Sequence, residues 1–443
     1  MVKAFKSIPG SITAPRGFVA SAVFCDIKRM GTGKGSNKPK KNDLALIVSE
    51  VPATAAGMFT TNQVCAPPVK LCAERARRGE GQAIVVNSGN ANACTGKQGM
   101  LDARAMAAIL GEQLHMPERH IYVASTGRIG VNLPMENVKR GIIDAAWRLN
   151  STVSNADAAV GAIMTSDTQE KKIAIEFALG GRVVRIGGIC KGAGMIQPGM
   201  SGTGQRPAAM PSGLHATMLC FITTDVAIEG RALQACLQEA VAQSFNRITV
   251  DGDMSTNDTV IVLANGLAEN PTLNNKSKEL GLFQRALNHI CLELAKMIVR
   301  DGEGVSRFVT LQLNGARNSA DADAAIRAVA NSSLVKTSWC GGDPNWGRII
   351  DALGYSPAKI VEEKVDIAYS ATGSRKLIYS LKRGQPASTS FKTLCQITAK
   401  KEFDLHINLN LGKGKATLYA SDLTEEYVDF NKGDVTDPAS LGG

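Results

Sequence analysis

The sequence predicts a mixed α/β protein with more than one domain, and three observations carry that prediction. Short apolar runs and amphipathic helical patterns alternate along the chain, but without the regular rhythm of a βαβ array. The 443 residues are 44% hydrophobic and 20% charged, a globular balance, and they exceed what one small core serves. Gly makes up 44 of the 443 residues while aromatics are only 5%. That composition suits tight turns and close backbone approach rather than aromatic stacking platforms.

Taken in order, Asp43–Ser49 (DLALIVS) reads as a buried strand and Ala83–Val86 as another. The second runs into NSGNANACTG (87–96), whose Asn, Ser and Gly content predicts a loop. Helical spacing marks Asp102–Leu114 and Glu136–Leu149, and between them His120–Ser125 is a strand ending in TGRIG. Lys172–Phe177 and Arg182–Ile186 form a hairpin around Leu179-Gly180-Gly181. Residues 187–215 are rich in Gly, Pro and Met and almost aperiodic. Thr217–Val226 (TMLCFITTDV) is a core strand, Arg231–Ser244 a helix and Thr259–Ala264 a strand. Ser277–Val299 is the longest helical pattern, interrupted at Gly281. Arg307–Leu313 and Ala320–Ala330 add a strand and a helix, and β-rich segments follow near 365–371, 403–411 and 416–420. No internal repeat is present. GLAENPTLNNKS (265–276) has linker composition, which divides the chain into a main domain at 1–265 and a C-terminal α/β region at 277–443.

The bulk chemistry narrows the function. The net charge of +10 permits anionic partners without selecting nucleic acid. The densest basic run, Lys28–Lys41 (KRMGTGKGSNKPKK), contains no aromatic residue and is expected to be a solvated loop. Ten cysteines lie singly with no CxxC pair, and only five histidines are present. These counts argue against a zinc site and a disulfide framework and fit a reducing, cytoplasmic setting. The N-terminus MVKAFKSIPGSITAPRGF has no apolar h-region. No run approaches the ~18 apolar residues of a membrane span. GTGKGS (31–36) and KGAGMIQPGMSGTG (191–204) lack the spacing of a nucleotide loop.

The sharpest local feature is His215-Ala216-Thr217-Met218-Leu219, a small residue before a Thr that opens an apolar strand. That arrangement suits self-cleavage. Thr217 Oγ attacks the Ala216 carbonyl, an N→O shift gives an ester, and water hydrolyses it. The freed α-amine, with an ordinary pKa of ~7.7–8.0, can then serve as the base for its own hydroxyl. Taken by itself the pattern also fits a plain strand start, which is the commoner case. Thr126-Gly127, at the end of HIYVAS, offers a hydroxyl and a backbone N–H that could face a developing oxyanion.

Together the motifs resemble the ornithine acetyltransferase (glutamate N-acetyltransferase) family of arginine biosynthesis. The resemblance runs in order over nearly the whole chain. It is carried by DLALIVSEVPATAAGMFTTN (43–62), VNSGNANACTG (86–96), STGRIG (125–130), KGAGMIQPGM (191–200) and ATMLCFITTD (216–225). It continues through DGDMSTNDT (251–259), RDGEG (300–304), DPNWGRI (343–349) and EEYVDFN (425–431).

The resemblance implies a layered α-β-β-α sandwich with a smaller α/β C-terminal domain, and a self-processing precursor cut between Ala216 and Thr217. It implies Thr217 as the nucleophile and Thr126 and Gly127 as the oxyanion pair. Substrate-binding positions fall on Thr165, Lys191, Thr217, Glu303, Asn431 and Thr436. Lys191 and Glu303 have the signs needed for a carboxylate and an amine. The implied reaction is ping-pong transfer of acetyl from N2-acetylornithine to L-glutamate, with neither metal nor cofactor. Some relatives also take acetyl-CoA as donor, and the residues leave that open here. Two α and two β chains, with no nucleic acid and no membrane, are the implied assembly.

Two departures from the family pattern stand out. Fifteen residues, Ser201–His215 (SGTGQRPAAMPSGLH), separate the PGM segment from the scissile bond. The tail FNKGDVTDPASLGG is looser than the family's ending, which bears on Thr436. An amidase or aminopeptidase using the same Thr217 would pass the acyl group to water instead. An uncleaved basic binding protein would retain the fold without the chemistry.

Overall fold

The structure, a computed structural model, describes residues 5–28, 40–205 and 218–432. His215, Ala216, Thr217 and Thr436 lie outside the described residues, as do most of the basic run and most of the insert.

A ten-stranded sheet organises the first part of the described chain. Its longer strands are β1 (Phe18–Val23), β2 (Leu44–Thr60), β3 (Glu80–Asn90), β4 (Ile121–Arg128), β5 (Lys171–Leu179), β6 (Arg182–Lys191), β7 (Leu219–Thr224) and β8 (Thr259–Ala264). The accompanying helices are α1 (Pro67–Ala76), α2 (Gly96–Leu114), α3 (Met135–Trp147), α4 (Val153–Ile163), α5 (Gly230–Gln243) and α6 (Leu280–Arg300).

Strand β2 serves two halves of this sheet. Residues 44–49 pair with β1 and residues 44–48 with β3, while residues 54–59 pair with β8. The register with β3 shifts between Val48 and Ala53. Pro52 falls in that gap, where a residue without an N–H cannot continue the ladder.

Alternation along the strands then builds the layers. Leu44, Leu46, Val48, Ala83 and Val85 pack with Met106 and Leu110 of α2 and Val138 and Ile142 of α3. Their neighbours Ala45, Ile47, Ile84 and Val86 point the other way, into a core shared with Leu219, Phe221, Ile261 and Leu263 of β7 and β8. The opposite face of β7 and β8, with Cys220, Ile222, Val260 and Val262, packs with Leu237 of α5 and Ile290 and Leu294 of α6. Two β layers therefore share one apolar interior and carry helices on their outer faces. This is the α-β-β-α sandwich.

The C-terminal body comprises β9 (Phe308–Ala316), α7 (Ser319–Asn331), α8 (Ser333–Cys340), α9 (Trp346–Gly354), β10 (Asp366–Ala371), α10 (Phe391–Thr398), β11 (Glu402–Asn408), β12 (Gly414–Ser421) and α11 (Glu425–Asn431). Its seven-stranded sheet buries Leu311, Phe403, Leu405 and Leu418 together with Ile326 of α7 and Trp339 of α8. Ile248–Thr249 pairs in parallel with β12 and joins the two bodies.

Three elements differ from the sequence-based expectation. Strand β3 continues to Asn90, into a segment whose Asn, Ser and Gly content predicts a loop, and β6 continues to Lys191, into the Gly-, Pro- and Met-rich stretch that reads as almost aperiodic. Gly281 lies in the first turn of α6, where a glycine interrupts no established ladder. Helix α6 also packs on the first sheet. The change of core therefore comes after residue 300 and not in 265–276, because the apolar face of α6 matches β5 and β6.

The DPNWGR motif supports the fold. Asn345 caps α9, its side-chain oxygen accepting from Arg348 N at 3.2 Å. Asn345→Ala is expected to lower stability by about 1 kcal/mol, measured by denaturant titration, with kcat unchanged.

Candidate active site

Strands β3 and β4 run parallel and end together, pairing Ser88 with Thr126 and Gly89 with Gly127. Thr126 is buried. Gly127 has φ +129°, and a Cβ there would stand 2.3 Å from the Gly89 carbonyl carbon and 2.6 Å from Asn90 N. Only glycine meets both constraints. Buried amides hold these strand ends. Ser125 Oγ donates to Asn87 Oδ1 at 2.6 Å, and Asn87 Nδ2 donates to Asn90 O at 2.8 Å. From another strand connection, Asn257 Nδ2 donates to Ala91 O at 2.7 Å and to Ser125 O at 2.8 Å.

Asn257 is followed by Asp258, which holds the start of β7. Met218 N donates to Asp258 Oδ1 at 2.6 Å, and Thr259 N donates to Met218 O at 3.1 Å. The dipeptide Asn257-Asp258 thus links the Thr126-Gly127 strand end to the residue that directly follows Thr217. Burial drives the Asp258 carboxyl well above the usual range, with the Met218 N–H and the Lys191 ammonium only partly offsetting it.

Lys191, the last residue of β6, is buried. Its nearest carboxylate is Asp167, with Nζ 3.8 Å from Oδ2. Asp167 is a hub. It accepts from Thr165 N at 3.0 Å, from Gly192 N at 2.7 Å and from Lys171 Nζ at 2.6 Å. Lys171 also bonds Asp301, the last partner in this chain of charges. Burial raises Asp167, but the Lys191 and Lys171 ammonium groups outweigh it and hold the carboxyl well below its usual range. Burial pulls Lys191 the other way, below the ordinary lysine value, and Asp167 offsets this only in part. An anion delivered to Lys191 therefore meets a cation whose charge is incompletely compensated.

Glu303 stands against Gly194, where a Cβ would come within 2.4 Å of Glu303 Oε2. Asp251 shapes that turn by accepting from Met195 N at 2.6 Å and Ile196 N at 2.8 Å. Asn431 ends α11 and donates from Nδ2 to Glu303 Oε2 at 3.0 Å.

One cavity of about 1370 Å³ is lined by Thr126, Gly127, Thr165, Lys191, Glu303 and Asn431. Six positions separated by as many as 305 residues in sequence thus face one space. The cavity also reaches Lys28 and Lys41, at the two ends of the basic run. Lys28 is half-buried and donates to Asn42 O at 2.9 Å, and burial pushes its pKa down to about 8. The expectation of a solvated loop therefore fails at Lys28, because the strand start at Asp43 draws Ile27 N and Lys28 N inward onto its carboxylate.

Asp167, Asn257 and Asp258 are the site residues that local pattern missed. Asn257 and Asp258 sit inside DGDMSTNDT, a motif without periodicity, and Asp167 two residues after Thr165 carries only a local turn signal. Among the described residues, no group of three or more His, Cys, Asp or Glu side chains converges in a way that could hold a metal. No described helix is long and apolar enough to cross a membrane. The arrangement offers a Thr side chain and a glycine at paired strand ends, a buried cation and a carboxylate around one space. That set can bind a zwitterionic amino acid and stabilise a tetrahedral acyl intermediate.

The sequence profile of the ArgJ family matches residues 28–434. The arginine biosynthesis bifunctional protein ArgJ of Symbiobacterium thermophilum is 44% identical over 424 residues, covering 96% of this chain and 98% of that protein. The glutamate N-acetyltransferase of Methanocaldococcus jannaschii is 43% identical over 430 residues, with 96% and 98% covered. Among solved structures, the ornithine acetyltransferase of Mycobacterium tuberculosis complexed with ornithine is 33% identical. It matches 44% of this chain and 100% of that chain at a TM-score of 0.40.

Proposed function

The chain belongs to the ArgJ family, and from that premise we propose that it transfers acetyl from N2-acetylornithine to L-glutamate through an ester on Thr217. The enzyme is an acyltransferase of arginine biosynthesis, like its relatives. The observation that carries the residue assignments is the single cavity joining Thr126, Gly127, Thr165, Lys191, Glu303 and Asn431; Asn257 also lines it and precedes the Asp258 that holds Met218 N.

Cleavage at Ala216–Thr217 releases fragments of 216 and 227 residues. They stay together because β7, after the cut, lies hydrogen-bonded between β6 and β8. The Thr217 α-amine takes the Oγ proton as Oγ attacks the acetyl carbonyl. The Thr126 hydroxyl and Gly127 N–H receive the oxyanion, and ornithine leaves with the proton. Glutamate's amine then attacks the acetyl ester by the same steps in reverse. Lys191 holds the substrate α-carboxylate, and Glu303, oriented by Asn431, draws the amine end. Thr165 and Thr436 complete the substrate contacts. Acetyl-CoA would serve as a second acetyl donor to the same Thr217, and two fragment pairs would assemble as an α2β2 unit.

Initial rates with both substrates varied test the reaction. Parallel double-reciprocal lines and one N-acetylglutamate formed per ornithine released are expected. Release of acetate in place of N-acetylglutamate would overturn the transferase reading in favour of an amidase. Glu303→Gln is expected to raise KM for N2-acetylornithine about 10- to 100-fold, the scale of one charge-assisted hydrogen bond. An unchanged KM would remove Glu303 from the binding role.

A further inference from the structure

We propose that Lys171 is a positioning residue for the Lys191 ammonium. It takes up the Asp167 carboxylate, which then stands beside Lys191 as a counter-charge without occupying the hydrogens of that ammonium. The inference rests on the reading that Lys191 holds the substrate α-carboxylate, and it adds the group that keeps the cation available.

The two lysines come from paired strands at one end of the sheet. Lys171 opens β5 and is in register with Cys190 of β6. Cys190 packs with Leu294 of α6. On that side Lys171 Nζ bonds Asp301, which caps the end of α6. Lys191 directly follows Cys190, so alternation turns its side chain to the other face, where it lines the cavity. Asp167 stands between the two cations. Its Oδ1 accepts from Lys171 Nζ at 2.6 Å and from Gly192 N at 2.7 Å. Its Oδ2 accepts from Thr165 N at 3.0 Å and lies 3.8 Å from Lys191 Nζ, beyond hydrogen-bond distance.

The side chains of Asp301, Lys171, Asp167 and Lys191 are at most 5% exposed and alternate in sign. A buried carboxylate needs a cation beside it, and Lys171 serves both. Burial pulls the Lys171 pKa down, but Asp167 and Asp301 outweigh it and hold the group above the ordinary lysine value. It is therefore an ammonium. Lys28, on which Asp167 also acts, donates instead to Asn42 O at 2.9 Å. Without the Lys171 charge, Asp167 turns to Lys191. A substrate carboxylate must then displace Asp167, and it enters a site that has lost one positive charge. Both effects weaken its binding. The carboxylate does not react, so the loss falls on KM more than on kcat.

The test compares two acetyl donors at fixed glutamate: N2-acetylornithine and N2-acetylornithinamide, whose α-carboxylate is replaced by an uncharged amide. The wild-type enzyme is expected to favour the carboxylate in kcat/KM by about 10- to 100-fold, the scale of one charge-assisted hydrogen bond. Lys171→Met keeps an apolar stem and removes the charge, and that preference is expected to fall about 10-fold. A folded Lys171→Met enzyme that slows equally on both donors and keeps the full preference would overturn the proposal, since a merely structural ion pair acts on both alike. Lys171→Met leaves two buried carboxylates without their cation. Lys171→Met combined with Asp301→Asn removes one charge of each sign, and it repeats the test with the same two outcomes where the single variant does not fold. A wild-type enzyme with no preference, or a Lys191→Met enzyme that keeps it, would instead overturn the carboxylate reading of Lys191 and this proposal with it.

Discussion

Thr217→Ala is expected to yield one 46.8 kDa chain in place of two fragments, and to lose acetyl transfer by about 10⁶-fold, the scale on which a nucleophile is lost. Intact-mass analysis and the transfer assay read the two effects separately. Both follow from one atom. In the proposed mechanism Thr217 Oγ attacks the Ala216 carbonyl during maturation and the acetyl carbonyl during turnover. Serine retains that oxygen, so Thr217→Ser is expected to restore both cleavage and measurable transfer. A Thr217→Ala chain that still splits in two would place the cut elsewhere. The insert Ser201–His215 lies wholly on the upstream side of the bond. On the downstream side, β7 is fixed by Asp258 and by pairing with β6 and β8. The strand that carries the nucleophile is thus held independently of the insert, and cleavage of the wild-type chain is the expected result.

The second large effect is expected at the proposed oxyanion pair. Thr126→Ala is expected to lower kcat by about 10²- to 10³-fold, the scale of one oxyanion donor, with KM for both substrates little changed. The hydroxyl contributes when charge develops and adds little to ground-state binding. Gly127→Ala is expected to be worse. Its Cβ would overlap the Gly89 carbonyl carbon at 2.3 Å, at a φ of +129° that alanine resists, so the paired ends of β3 and β4 must separate. Because self-cleavage passes through a tetrahedral intermediate of the same kind, slower processing by mass should accompany slower turnover. Unchanged kcat in Thr126→Ala would remove that residue from the oxyanion role.

Much of the fold was legible because local chemistry and tertiary role coincide. Thr259–Ala264 is apolar at nearly every position, and it forms a strand with those same bounds. Where the two diverge, pattern misleads. Asn87, Ser88, Gly89 and Asn90 are turn-forming residues by composition, yet they extend β3, because they pair with β4, Ser125 Oγ of that strand donates to Asn87 Oδ1, and Asn87 Nδ2 in turn donates to Asn90 O. Helices α1 and α4 escaped notice. The first opens on two prolines and the second is dominated by small residues, so neither presents a strong apolar stripe. Thr126, Gly127, Thr165, Lys191, Glu303 and Asn431 could be named from ordered motifs. Asp167 and Asp258 could not, since each acquires its role from partners on other elements.

What the sequence determined by itself is the family, the order of its motifs and most of the strands on which the candidate groups lie. A motif preserves chemistry at fixed local spacing, and an apolar run commits its own backbone to a strand. Only the tertiary structure decided how far apart those groups stand and which charges surround them. The bend of the sheet along β2, the docking of α11 that brings Asn431 to Glu303, and the meeting of Lys171 with Asp301 all come from contacts between residues distant in sequence. Burial and electrostatic coupling depend on everything packed around a group, and no local spacing encodes that.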